Sequence, residues 1–351
     1  MGERKPRHAK TVNLALQGGG AHGAFTWGVL DRLFEIDNLW IEAISGTSAG
    51  AMNAVVAAEG MYEGAAEGAR VALEKFWRAV SEAARTSPFK RTPLDQMLGV
   101  WSLDNSPAYI LMDLMGRLTS PYDLNPFDIN PLRDLVDENV DFEKVRASRS
   151  LQVYISATNV ETGKVRVFSR DEIDLNVVMA SACLPFLFKA VEIDGEPYWD
   201  GGYMGNPVLF PFYNSSESDD IVIVQINPIF REGTPTTARD ILNRVNEITF
   251  NGSLLRDLRA IEFVNRLNAE GKLKDTHHRT KHVHMIEARK EMRPLSASSK
   301  LNAEWDFLVH LRDIGREAAD KWLKANYDDI GETSTVDLTE MFSTMGAENH
   351  G

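Results

Sequence analysis

Three short stretches carry residue types able to act together as a catalytic group. Gly46-Thr47-Ser48-Ala49-Gly50 is a Gly-x-Ser-x-Gly pentapeptide. On a sharp strand-to-helix turn, glycines two residues either side of a serine leave room for the chain to double back, and the hydroxyl is lifted clear of the sheet end as a nucleophile. Gly18-Gly19-Gly20-Ala21-His22-Gly23 satisfies Gly-x-Gly-x-x-Gly. The unhindered amides of such a loop can cradle a pyrophosphate or donate to the oxyanion of an acyl-transfer intermediate. Asp200-Gly201-Gly202 ends a short apolar and aromatic run. Its carboxylate can take a serine proton directly, or simply close a turn.

Each stretch has a rival reading. A dinucleotide site needs an acidic residue at the end of the second strand to hold a ribose hydroxyl. Here the strand 41–44 runs into Ser45-Gly46-Thr47-Ser48, while Glu42 lies inside that strand and Glu35 on the helix before it. Ser48 can be a helix N-cap on a tight turn rather than a nucleophile. The usual base for a serine is histidine held by a carboxylate, and His284 has the right chain order for a Ser, Asp, His triad. It sits, however, in Lys281-His282-Val283-His284-Met285-Ile286, which reads as strand. As a metal cluster, His277, His278, His282 and His284 match no ligand spacing, so no metal site is expected.

These residues need elements to hold them. The strand 12–16 is followed by the glycine loop and then by Phe25, Val29, Leu30, Leu33 and Phe34 at helical spacing. The short strand 41–44 precedes a helix of small residues, which can lie close to a sheet. An amphipathic helix is expected over 63–85, further strands over 153–157, 165–168, 221–226 and 283–287, and helices over 239–267 and 305–323, the last preceded by the capping-type serines Ser296, Ser298 and Ser299. Alternating strands and helices predict an α/β fold, a mostly parallel central sheet with helices on both faces.

Between 86 and 150 the pattern loosens among prolines running from Pro88 to Pro131, and an irregular helical cap insertion is expected there. Met97, Leu98, Val100, Trp101, Tyr109, Ile110, Leu111, Met112, Leu114 and Met115 either face a lipid chain or pack the cap onto the body. No repeat or clean linker is present, so one domain over 11–325 is expected, with 1–10 and 327–351 as flexible tails.

The 351 residues, 43% hydrophobic and 25% charged, exclude a fibre or a disordered chain. Lys plus Arg number 38 against 51 Asp plus Glu, a formal charge of −13. That charge repels polyanions, so nucleic acid is not expected as a partner. The single cysteine, Cys183, fits a reducing, cytoplasmic compartment. No stretch approaches 18 uninterrupted apolar residues, and the basic start is followed by too short an apolar run for a signal peptide. Any membrane contact is therefore expected to be peripheral, at the inner membrane surface. The charge opposes docking on anionic lipid, and Lys90 and Arg91 form only a thin basic patch.

In this order, the glycine loop, the serine pentapeptide and Asp200-Gly201-Gly202 resemble the bacterial type of the patatin-like phospholipase family, over roughly residues 12–206. Ser181-Ala182-Cys183-Leu184-Pro185-Phe186-Leu187-Phe188 is similar to the family's segment before the aspartate strand. The resemblance implies a serine acyl hydrolase with a Ser–Asp dyad: Ser48 as nucleophile, Asp200 as base, and the amides of Gly18, Gly19, Gly20 and Ala49 around the oxyanion, with Gly23, Gly46, Gly50, Gly201 and Gly202 as motif positions. Its substrate would be a lipid or other acyl ester, with neither metal nor nucleotide required. Two positions depart from the pattern: His22 stands where Arg or Lys is usual, and Gln17 where many members have Asp. The departure at 22 keeps open a regulatory or scaffolding protein of this fold with weak catalysis, and the dinucleotide-dependent oxidoreductase remains the third class.

Overall fold

Residues 9–214, 216–273 and 279–343 are described from a computed structural model. Eight strands form one sheet: β1 Lys10–Leu16, β2 Leu39–Gly46, β3 Gln152–Asn159, β4 Val165–Ser169, β5 Val191–Ile193, β6 Glu196–Asp200, β7 Asp220–Val224 and β8 His282–Ile286. Their order is β5-β6-β3-β2-β1-β7-β8, with β4 paired to β3. The pairs β2–β3, β1–β2, β1–β7 and β7–β8 are parallel; those of β3 with β4 and β6, and of β5 with β6, are antiparallel.

Strand alternation divides the core. Val12, Leu14 and Leu16 of β1 join one apolar cluster and Ala15 the other; in β7, Val222 and Val224 point one way, Ile221 and Ile223 the other. The larger cluster takes in the helices Gly23–Leu33, Ala49–Ala83 and Trp305–Asn326. The smaller is covered by Leu254, Leu258 and Ile261 of the helix Ala238–Ala269 and by Leu338. Helices on both faces of a largely parallel sheet are the α/β arrangement the alternating pattern predicts.

The small-residue helix and the amphipathic helix over Ala49–Ala83 are two helices, as expected, joined by non-helical backbone at Gly64 and Ala65. There the chain folds back on itself, so that a Cβ on Gly60 would lie 2.5 Å from Ala69 Cα. Several expectations change in detail. The proline-rich stretch is less irregular than expected. Pro93, Pro107, Pro121 and Pro131 each open a helix, and Thr92, Ser120 and Asn130 cap three of these with side-chain hydrogen bonds. Proline at the first helical position lacks only an N–H that would have had no partner.

Nor is the chain after Tyr327 a loose tail as far as Ser343. Ile330 and Leu338 are buried, and Ser334 accepts the N–H of Val283 at 3.0 Å. At the other end, β1 begins at Lys10, whose ammonium donates to the carbonyls of Asp328 and Ile330. The serines before the last long helix do not cap it. Its N-cap is Glu304, whose N–H goes to Asn302 Oδ1, while Ser298 and Ser299 are spent on Leu103 N–H and His22.

Candidate active site

β2 ends at Gly46 and the next helix begins at Ala49, leaving Thr47 and Ser48 to reverse the chain. A Cβ on Gly46 would lie 2.4 Å from Gly50 O, and one on Gly50 2.3 Å from Leu16 O. Only glycine permits so close an approach of two strand ends and a helix. The turn forces Ser48 to φ 54° and ψ −120°, a conformation L-residues rarely adopt, and its side chain caps no helix N–H.

What holds this strained residue is a set of buried hydroxyls. Ser48 N–H donates to Ser181 Oγ at 2.9 Å. Thr47 Oγ1 donates to Gly205 O at 2.7 Å and lies 2.7 Å from Ser156 Oγ. The residue pattern marked Ser181 as part of a motif but gave no signal of its partner, because a hydroxyl to a backbone amide 133 positions away has no spacing rule. Removing that acceptor leaves a half-buried N–H without a partner. Ser181→Ala should therefore lower unfolding free energy by about 1–3 kcal/mol in denaturant titrations, with turnover reduced rather than abolished.

Asp200 is buried at the end of β6, opposite Ala157 of β3. Its N–H donates to Cys183 O at 2.8 Å, and its Oδ1 accepts Gly202 N–H at 2.7 Å. Burial raises its carboxyl to about 7; the Gly202 N–H, a hydrogen bond from the Ser48 side chain and the charge of Lys300 all act in the opposite direction.

The glycine loop crosses the same ground. A Cβ on Gly18 would lie 2.8 Å from Ser48 Cβ. Gly18 is not available as an oxyanion donor, however, because its N–H is committed to Asn206 Oδ1 at 2.7 Å. The amides of Gly19, Gly20 and Ala49 have no hydrogen-bond partner among the described residues. Gly23, Gly201 and Gly202 are close-packing positions against Ala49, Ser156 and Phe250 respectively.

The two departures at 17 and 22 have structural explanations. Gln17 Oε1 accepts the N–H groups of Ile226 and Asn227, both at 2.9 Å, while its Nε2 donates to Asn206 O at 3.2 Å and Asn251 Oδ1 at 3.0 Å. An ionised Asp could do only the accepting half. His22 is buried with Nε2 2.8 Å from Ser299 Oγ, and burial followed by the charge of Lys300 pushes it well below its usual pKa, so it is neutral.

The histidine triad does not form. His284 is wholly buried in β8, its Nε2 2.9 Å from Asp220 Oδ1 and its Nδ1 3.1 Å from Thr335 Oγ1. Asp220 is the first residue of β7, so this pair lies toward the amino end of the strands, away from Ser48. His282 lies beside the same carboxylate, and His277 and His278 lie outside the described residues. Among the described residues no group of three His, Cys, Asp or Glu could hold a metal ion. For a ribose, Glu42 is occupied by the N–H groups of Glu217 and Ser218, and Glu35 by Arg32, Arg70 and Arg316.

Most of the cap's large apolar groups are on the surface. Met97 is 85% exposed, Leu98 65% and Leu111 59%. Packing onto the body accounts for Leu103, which is buried, and for Trp101, which stacks on Phe307 at 5.0 Å. The cap is tied to the segment leading to Asp200: Lys189 Nζ donates to Pro126 O at 2.9 Å and Ala190 N–H to Tyr122 Oη at 3.2 Å. Phe186 of that segment, 70% exposed, adds to the apolar surface.

Residues 14–213 match the family model of the patatin-like phospholipases. No curated protein matches the chain. Among solved structures, it is similar to VipD from Legionella pneumophila, at 15% identity and a TM-score of 0.38, over 95% of this chain and 72% of that one. It is also similar to ExoU in the ExoU–SpcU complex of the type III secretion system of Pseudomonas aeruginosa. There the identity is 14% and the TM-score 0.37, over 92% of this chain and 52% of that one. The chain thus spans about half the length of the second.

Proposed function

The chain belongs to the patatin-like phospholipase family, and from that membership we propose that it hydrolyses carboxylic esters of lipids through Ser48 and Asp200. What supports this most is a serine at positive φ packed against the glycine loop, whose side chain acts to lower the pKa of a buried carboxyl that burial raises to about 7. A base poised near neutrality takes and returns a proton at low cost.

In the first step Asp200 removes the Ser48 proton as Oγ attacks the ester carbonyl. The carbonyl electron pair moves to oxygen, and the N–H groups of Gly19, Gly20 and Ala49 stabilise that oxyanion; one such donor is worth about 2.7–4 kcal/mol. Collapse breaks the ester C–O bond, and the proton on Asp200 passes to the departing alkoxide. Water then gives its proton to Asp200 while attacking acyl-Ser48. The acid leaves, and the proton returns to Ser48 Oγ.

The exposed apolar cap suits a long acyl chain at a lipid–water surface. No helix among the described residues is long and apolar enough to cross a membrane. The reading is tested by covalent labelling. A fluorophosphonate should add one phosphonyl group at Ser48, identified by peptide mass spectrometry, and absence of label there would overturn the nucleophile. A panel of phospholipids, lysophospholipids and glycerides then names the ester.

A further inference from the structure

We propose that Lys300 is a positioning residue of this site: its ammonium, bound to Asn227, supplies the positive charge that holds the glycine loop and Asp200 in their working state. The proposal rests on the hydrolase reading above and adds a residue from the far end of the chain to it.

The backbone of Lys300 is wedged against the loop. It lies in the short turn Ser298–Leu301, whose Ser299 binds His22, and a Cβ on Gly20 would lie 2.4 Å from Lys300 O. From this anchor the side chain reaches Asn227 Oδ1 at 2.7 Å. Asn227 Nδ2 in turn donates to Gly18 O at 3.0 Å and approaches Gln17 Oε1 at 3.4 Å. An unbroken path of hydrogen bonds therefore runs from the ammonium to the glycine loop. The ammonium also sits 5.6 Å from the Phe250 ring, which packs on Gly202, two residues beyond Asp200.

The charges facing Lys300 are Glu247, Asp200 and Arg231, with neutral His22 beside it. Glu247 already accepts from Arg231 Nε at 2.8 Å and from Arg244 Nη1 at 3.2 Å. Glu247 is thus shared with two arginines, and Asp200 is the second acid that acts on Lys300. His22, the ionisable side chain on the loop itself, carries no charge at neutral pH, so a transition state with an anionic oxygen near Gly19 and Gly20 draws on Lys300 instead.

Burial lowers the ammonium to about 8, close above the Asp200 carboxyl at about 7. Asp200 acts when deprotonated and Lys300 when protonated, so kcat/KM should rise through the first value and fall through the second.

Lys300→Met and Lys300→Arg, assayed on a chromogenic acyl ester across pH, test the proposal. The Met variant should lose about 10–100-fold in kcat, less than a direct oxyanion donor because Lys300 acts through Asn227. It should also lose the alkaline fall. The Arg variant should keep most turnover with the fall moved beyond pH ~10, since guanidinium stays charged. A 13C carboxyl titration should place Asp200 higher in the Met variant than in the unmodified protein. An alkaline fall unchanged in the Arg variant, or an Asp200 titration unmoved in the Met variant, would overturn the assignment. Should the unmodified protein hydrolyse no ester, the hydrolase reading falls by itself, and the carboxyl titration still decides whether Lys300 holds Asp200.

Discussion

Ser48→Ala should abolish ester turnover, by about four orders of magnitude or more, and Asp200→Asn should do nearly as much. The reason is that each group is useless without the other. An alanine at 48 leaves the base no proton to take and no oxygen to acylate. An asparagine at 200 can still hydrogen-bond to the serine but cannot accept its proton at any accessible pH. The double variant should therefore be no slower than Ser48→Ala alone, the non-additivity expected of residues that act as a unit. The residual rate should exceed the uncatalysed one, because the amides of Gly19, Gly20 and Ala49 remain. Initial rates on a long-chain acyl ester, with circular dichroism confirming the fold, measure this. Turnover within tenfold of the unmodified protein in Ser48→Ala would remove the hydrolase reading, and the same result in Asp200→Asn would leave the nucleophile in need of another base.

How much of this was legible in the residues follows from where the information lies. The strands could be read because both faces of the sheet are covered, which writes continuous apolar runs such as Ile221-Val222-Ile223-Val224 into the chain. The Ser48 turn could be read because its steric demand falls on Gly46 and Gly50, two and two residues away. What joins distant segments was not legible. That Ser181 Oγ holds Ser48 N–H, that Asn206 takes the Gly18 amide, and that Lys300 reaches Asn227 all depend on side chains 100 or more positions from Ser48 or from the loop, apart from the short Lys300 to Asn227 span of 73. The cap's helices were not legible as separate elements because a proline's effect depends on whether a capping residue precedes it, as Thr92, Ser120 and Asn130 do. The Ser296–Ser299 run misled for the opposite reason. Serines that look like caps had been claimed by tertiary partners, His22 and Leu103.

Asp200→Asn should also make the protein more stable, and by an amount that depends on pH. Burial raises this carboxyl from its ordinary value to about 7, a displacement of roughly three units, which corresponds to about 4 kcal/mol at 1.36 kcal/mol per unit. The sign follows from proton counting. Below about pH 4 the carboxyl is protonated in both the folded and the unfolded chain, and the two proteins should differ little on this account. Between about 4 and 7 the unfolded chain has released a proton that the folded chain still holds, so stability falls as pH rises. Above about 7 the folded chain carries a buried carboxylate and the full cost is in place, eased only by the Gly202 N–H, Ser48 and Lys300. Asparagine keeps the shape and the acceptor oxygen without the charge. The difference in unfolding free energy between Asp200→Asn and the unmodified protein should then be near zero at pH 4, grow through pH 5–7, and level off by pH 8. Denaturant melts at each pH give that difference directly, with titrating groups that do not face Asp200 cancelling between the two proteins and Lys300, which does face it, contributing above about pH 7. A flat difference across this range would mean that the carboxyl is not held at a raised pKa, and the physical basis for its acting as a base near neutrality would go with it. The inactive protein is expected to be the more stable one because the cost of keeping this charge out of water is what gives the base a pKa near 7.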